Sequence, residues 1–268
     1  MSAMNPMLNI ATRAARQAGR LLLRHFDRTD QLTIHDKGRN DFVTEVDRAA
    51  EASIVNELRS KYPSHAILAE ESGHHGDGDI VWIIDPLDGT TNYLHGFPQF
   101  AVSIGLKYRG KLELGVVYNP LSEEMFTAAR GQGAHLNDRR IRVAKRTGLD
   151  GALIGTGFPF RDQQNMDRYL GMLRAMMQEA AGIRRPGSAS LDLAYVAAGR
   201  LDGFWELGLA PWDLAGGAVL IAEAGGTATN LAGGSDFLNT GNLIAGNLKV
   251  HQAMLSRIRP FLDDNLPA

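Results

Sequence analysis

Apolar and small residues between Pro6 and Phe26 recur at helical spacing, with Leu8, Ala11, Ala15, Ala18, Leu22 and Phe26 on one face and arginines on the other, which predicts an amphipathic helix. A second helix is expected from Thr44, which can cap the first turn, with Asp47 three residues on. Val46, Ala50, Ile54 and Leu58 form its apolar stripe, and Lys61-Tyr62-Pro63 ends it. The pattern then changes to short apolar runs. Ala66–Ala69 and Val81–Ile84 read as strands that run directly into acids, Glu70-Glu71 in one case and Asp85 in the other. Phe100–Leu106 and Leu112–Tyr118 flank Lys107–Lys111 as a hairpin. Met125–Ala129 and Ile141–Val143 extend the same sheet, with Gly131-Gln132-Gly133 and Asn137-Asp138 turning the chain.

The second half restarts around Thr147–Gly151. Ala152–Thr156 reads as a strand, Met166–Ala180 as a Met-rich amphipathic helix, and Ser190–Ala198 as another helix. Leu201–Leu207 is a further strand, and Asp213–Ala224 a helix stopped by Gly225-Gly226. Leu243–Ala245 is a last short strand before a closing helix, Leu248–Phe261. Clusters of strands followed by helices predict a layered α+β architecture rather than strict βαβ alternation. With no repeat, low-complexity stretch or long linker, residues 1–268 are expected to pack as a single compact unit, with a subdomain boundary near 146–151.

Composition narrows the chemistry. The chain has 268 residues, 44% of them apolar, enough for a substantial core. Its net charge is −2 with signs interspersed, which argues against general nucleic-acid or membrane-surface binding, and no sequence-specific DNA binding is expected. The absence of cysteine excludes disulfides, thiolate zinc sites, iron–sulfur clusters and a cysteine nucleophile. Met1–Asn9 lacks the basic and apolar regions of a signal peptide and no run is long enough to span a bilayer, so a cytoplasmic location without membrane association is the expectation. His74-His75 lack metal-ligand spacing, and the glycines at 131–133 and 155–157 complete no dinucleotide fingerprint. Met166, Met172, Met176 and Met177 read as helix core, and the basic groups at Arg139, Arg140, Arg142, Lys145, Arg146 and Arg184-Arg185 as solvated surface.

The acids at the strand ends carry more information. Glu70 and Glu71 close one strand, Asp85 another, and Asp88 follows three residues later. Converging carboxylates imply raised pKa values or a bound cation, and an oxygen-only donor set points to a hard ion such as Mg²⁺. In Asp85-Pro86-Leu87-Asp88-Gly89-Thr90-Thr91, Pro86 stiffens the turn and the Leu87 carbonyl can join the acids. Gly89 allows close backbone approach, and Thr90-Thr91-Asn92 resembles a first helical turn whose free amides suit a phosphate. A phosphoryl-transfer site is the functional reading; a strand-to-helix turn with Asp88 as N-cap is the structural alternative.

Asp85-Pro86-Leu87-Asp88-Gly89-Thr90-Thr91-Asn92 resembles the first signature of the inositol monophosphatase family, and Trp212-Asp213-Leu214-Ala215-Gly216-Gly217-Ala218 its second. Glu70-Glu71-Ser72 and Asp41-Phe42-Val43-Thr44-Glu45-Val46-Asp47 resemble two further family segments, although Ala69 stands where the family commonly has glycine. Gly155–Phe160 and Ser190–Arg200 are similar to the bacterial SuhB-type branch. The resemblance spans about residues 7–260 and implies a layered α-β-α-β-α sandwich and, usually, a homodimer. It also implies Mg²⁺-dependent, lithium-sensitive hydrolysis of a phosphomonoester such as inositol 1-phosphate. Sister specificities for nucleotide 3′-phosphate, fructose bisphosphate or NADP phosphate share such a metal site.

By the family pattern one Mg²⁺ is held by Glu70, Asp85 and the Leu87 carbonyl, a second by Asp85, Asp88 and Asp213, and a third, weaker ion lies near Glu70. Glu70 and Thr90 would orient and deprotonate the attacking water. Asp88 and the amides of Gly89 and Thr90 would meet the substrate, as would Gly187, Ser188, Ala189 and Glu206 around the ring. Thr44, Asp47 and Glu71 would support the ligands from behind, and Lys37 matches a mobile-loop lysine. The SuhB-type branch also implies an alternative role as a partner of transcription elongation and antitermination factors and RNA polymerase in ribosomal RNA synthesis.

Overall fold

The computed structural model describes residues 6–26, 34–38, 41–160 and 165–262, with backbone alone for 34–38 and 41–43. Helix α1 (Pro6–Phe26) has the predicted bounds, and the hairpin of β1 (Ile34–Gly38) with β2 (Asp41–Thr44) leads to α2 (Glu45–Lys61). Thr44 caps α2 in a capping box with Asp47, the device legible in the sequence. Strands β3 (Ala66–Ala69), β4 (Gly73–His75) and β5 (Ile80–Asp88) precede the short helix α3 (Thr90–Leu94). Next come β6 (Ala101–Tyr108), β7 (Lys111–Asn119), β8 (Glu124–Ala129), β9 (Gly133–Leu136) and β10 (Arg139–Ile141). These strands form an eight-stranded sheet in the order β10-β9-β8-β7-β6-β5-β3-β4, in which only the β3–β5 pair is parallel.

The remaining elements are β11 (Leu153–Thr156), α4 (Met166–Met177), β12 (Gly182–Arg184), α5 (Ala189–Ala197), β13 (Gly203–Glu206), α6 (Pro211–Glu223), β14 (Thr227–Thr229), α7 (Phe237–Thr240), β15 (Leu243–Gly246) and α8 (Leu248–Ile258). A 3₁₀ turn, Arg259–Phe261, continues α8. The second sheet has the order β12-β11-β13-β15-β14.

Strand alternation sorts the layers. Val102, Ile104, Leu114 and Val116 face α1 and α2, whereas Ala101, Val117 and Phe126 face α5 and α6. On the smaller sheet Phe204 and Ala245 also meet α5 and α6, while Trp205 and Ile244 meet α4 and α8. The result is the expected α-β-α-β-α sandwich, with α5 and α6 between the sheets. Helix α6 lies close enough for the main chains to touch. A Cβ on Gly115 would stand 2.2 Å from the Gly216 carbonyl, and one on Gly105 would stand 2.6 Å from the Ala215 Cβ. In the second signature a Cβ on Gly216 would stand 2.9 Å from Ser103 Oγ and one on Gly217 2.5 Å from the Leu193 Cβ, so these glycines serve packing.

Several boundaries moved. The β6–β7 turn is only Arg109-Gly110, both at positive φ, rather than the five residues expected. Strand β5 continues four residues past Ile84 and carries both aspartates. Helix α4 ends at Met177, three residues short of the expectation, and α6 begins at Pro211 rather than Asp213. Among the described residues no helix is long and apolar enough to cross a membrane.

Candidate active site

In an unbroken strand Asp85 and Asp88, three residues apart, would point to opposite faces. Between them β5 bulges. Asp85 pairs with Ser103 and Asp88 with Ala101, so β5 spends one more residue than β6 over the same stretch. Pro86, which has no amide proton to give the ladder, lies within the bulge. The Leu87 amide donates to Asp85 Oδ1 at 2.9 Å, and the Leu87 carbonyl accepts the Thr90 hydroxyl at 3.1 Å. Gly89 then turns the chain into α3 at φ 99°, where a Cβ would meet the Gln99 carbonyl at 2.9 Å.

Asp213 arrives from the other half, at the third position of α6, where its carboxylate accepts the Ala210 amide at 2.8 Å. One carboxylate oxygen from each of Asp85, Asp88 and Asp213 lies within 4.8 Å of the others. Glu70 follows β3, which runs parallel beside β5; its amide donates to the Ile84 carbonyl at 3.1 Å and its side chain meets that of Asp85. Burial first, and then the charges of Glu70, Asp88 and Asp213, push the Asp85 carboxyl well above the ordinary carboxylate range. A divalent cation relieves that repulsion, and the oxygen donors fit a hard ion such as Mg²⁺.

Thr44 and Asp47 lie beside Thr90, and Glu71 follows Glu70. The Thr90 hydroxyl lies 3.3 Å from Asp47 Oδ1, while Asp47 Oδ2 accepts the Thr44 amide at 3.0 Å and, more closely, the Thr44 hydroxyl. Burial raises the Asp47 pKa, against the opposing effect of the Thr44 hydroxyl. Glu71 is held by its main-chain amide, which donates to Glu51 Oε2 at 2.7 Å, and the Ser72 amide donates to Glu51 Oε1 at 2.9 Å. Sequence reasoning missed Glu51. It resembles any helix acid, and its amide partners lie about 20 residues on.

The segment expected to line the ring also reaches the site. Gly187 turns at φ 89°, and Ser188 Oγ, Ser190 N and Ser190 Oγ all donate to Asp88 Oδ2, at 2.7, 2.7 and 2.5 Å. Burial raises the Asp88 pKa, and the Ser190 and Ser188 hydroxyls oppose that rise. Ala189 opens α5. Glu206 ends β13 with its carboxylate against Gly157, where a Cβ would stand 1.8 Å from Oε1. Buried Asp192, with no partner for Oδ1, feels the charges of Glu206 and Asp88. Lys37 belongs to β1, and its side chain falls outside the described residues, as do Arg39 and Asn40.

Known proteins resemble this chain in sequence and fold. A family model described as the inositol monophosphatase family matches residues 3–263. The chain is 56% identical over 269 residues to a Pseudomonas aeruginosa protein named Nus factor SuhB, covering 98% of this chain and 99% of that one. The crystal structure of extragenic suppressor protein suhB from Bartonella henselae superposes with a TM-score of 0.93 at 46% identity, covering 95% of this chain and 99% of that one. The inositol monophosphatase from Anabaena gives a TM-score of 0.83 at 38% identity, with 95% of each chain covered.

Proposed function

This chain belongs to the inositol monophosphatase family of phosphomonoesterases, and we propose that it hydrolyses inositol 1-phosphate or a similar polyol monophosphate with Mg²⁺. The observation that carries this reading is the convergence of Asp85, Asp88 and Asp213 within 4.8 Å, from a strand bulge and a helix start distant in sequence. Glu70, Asp85 and the Leu87 carbonyl would hold one ion, and Asp85, Asp88 and Asp213 a second; a third, weaker ion would lie near Glu70. When bound, such ions lower the pKa of water and neutralise charge on the phosphoryl and leaving oxygens.

The chain's own groups do the rest. The Thr90 hydroxyl proton is directed at the Leu87 carbonyl and Asp47, so the Thr90 oxygen is left to accept from an attacking water. Glu70 takes the other proton of that water as general base. The amides of Gly89 and Thr90 face the phosphoryl group, and Asp88, Gly187–Ala189 and Glu206 bound the side where the alcohol would sit. Inhibition by Li⁺, a homodimeric state and a cytoplasmic location belong to the same reading. Assay of inositol 1-phosphate, nucleotide 3′-phosphate, fructose bisphosphate and NADP phosphate with and without millimolar Mg²⁺ tests it. Failure to release phosphate from any of them sinks it; preference for one of the last three moves the substrate assignment.

A second reading, as a partner of the transcription antitermination machinery, is supported by the name Nus factor carried by relatives at 56% and 51% identity. The exposed cations at Arg139, Arg140, Arg142, Lys145 and Arg146 offer a surface for it that is separate from catalysis. Loss of this reading would follow if a pull-down from a matched extract retained neither elongation factors nor RNA polymerase.

A further inference from the structure

We infer that Ser188 and Ser190 are positioning residues that aim Asp88, locking the segment 186–190 and a metal ligand into one unit. The inference rests on the two-ion reading of the acid cluster. Ser188, Ser190 and Asp88 have relative exposures of 1, 0 and 8%. Three donors from the two serines end on a single oxygen, Asp88 Oδ2, at 2.7, 2.7 and 2.5 Å. A carboxylate oxygen offers two lone-pair directions, so Oδ2 is saturated and an ion is left to Oδ1, with the Ala189 amide as a further main-chain partner of the carboxylate. The Ser188 hydroxyl, placed at the ring by motif matching, is thereby committed to Asp88.

The link is reciprocal. Asn92, four residues after Asp88, donates from Nδ2 to the carbonyls of Gln99 and Pro186 at 2.7 and 2.8 Å, with Gly187 O at 3.3 Å. A Cβ on Gly187 would stand 3.0 Å from that amide nitrogen, so glycine is needed for the approach. Segment 186–190 is held from both ends by the 88–99 stretch. Removing either hydroxyl takes away one of the bonds that fix the Asp88 rotamer while its carboxylate remains intact.

The test is Mn²⁺ titration of the metal-free full-length protein, read by electron paramagnetic resonance, for wild type, Ser188→Ala, Ser190→Ala and the double variant. Mg²⁺ activation and metal-free thermal unfolding are measured alongside. One class of Mn²⁺ site is expected to weaken by about 10- to 100-fold in the double variant, the range for groups that orient a ligand. The other class should hold, the half-activating Mg²⁺ concentration should rise in step, and metal-free unfolding should barely move. Each single variant should show a smaller change in the same direction. Unchanged Mn²⁺ binding in all three variants overturns the inference, as does equal weakening of both classes together with a lowered metal-free transition. A wild type that binds no Mn²⁺ refutes the metal reading itself and this inference with it.

Discussion

The carboxylate of Glu51 accepts the main-chain amide of Glu71 at 2.7 Å, and through that bond and the Ser72 bond helix α2 fixes the loop that carries Glu70. Glu51→Ala would take a nearly buried charged acceptor from amides on half-buried Glu71 and exposed Ser72, at about 1 kcal/mol each. We expect phosphatase activity to fall by roughly tenfold or more, with a raised Mg²⁺ requirement, as for other groups that orient a ligand. Urea unfolding and Mg²⁺ titration of activity check both effects. Unaltered Mg²⁺ dependence would mean that Glu70 needs no such support.

In the proposed two-ion site Asp85 is the shared ligand, and its burial beside Glu70, Asp88 and Asp213 pushes its carboxyl well above the ordinary range. Asp85→Asn keeps the shape and removes one charge from a group of like charges. Activity should drop on the order of 100-fold or more, while the metal-free protein should melt at the same temperature or higher. Added Mg²⁺ should raise the wild-type transition but not that of the variant, because only a ligand bound to the native state stabilises it. Near-normal turnover in the variant would remove Asp85 from the proposed metal site.

Asp192 gives a pH prediction with a definite sign. Burial, then the charges of Glu206 and Asp88, raise its pKa well above the ordinary value of 3.8. Between 3.8 and the folded-state value the unfolded chain has released a proton that the native protein keeps, so this group makes stability fall as pH rises through that window. Asp192→Asn does not titrate. Its stability relative to wild type should therefore improve as pH rises from about 4 toward the raised folded-state pKa. Denaturant unfolding at several pH values reads this directly, and parallel pH profiles for the two proteins would exclude a retained proton on Asp192.

Signals confined to a few contiguous residues were legible before the structure. The stripe of α1, the capping box of α2 and the acids of β5 are local patterns, each with a physical reason written into its spacing. Strands β4, β9, β12 and β14 were not, because their three or four residues hold no apolar run like those of β3 and β15. Residues acting through a distant partner were equally silent: Glu51 on the Glu71 amide and Ser190 on Asp88, 102 positions away. Asp213 was legible only through the resemblance of its motif. What brings it to the site is the close seating of α6 on Gly105 and Gly115, a relation between faces of two elements.

Gly157 offers a test of the proposed ring contact apart from the proposed metal chemistry. Its missing side chain leaves room for the Glu206 carboxylate, whose oxygens would lie 1.8 and 2.2 Å from an added Cβ. Those oxygens are the far end of a flexible side chain, and Gly157 does not have the positive φ that would strain alanine. Gly157→Ala should therefore fold with near-normal stability while displacing Glu206. If Glu206 grips the hydroxyls of a polyol, KM for inositol 1-phosphate rises by about tenfold, the scale of a lost hydrogen bond to a charged group. KM for an aryl phosphate, which offers no hydroxyl, should stay close to wild type, because the metal ligands are untouched. Equal effects on both substrates would assign Glu206 to the architecture of the site, and no effect on either would place it outside the substrate's reach.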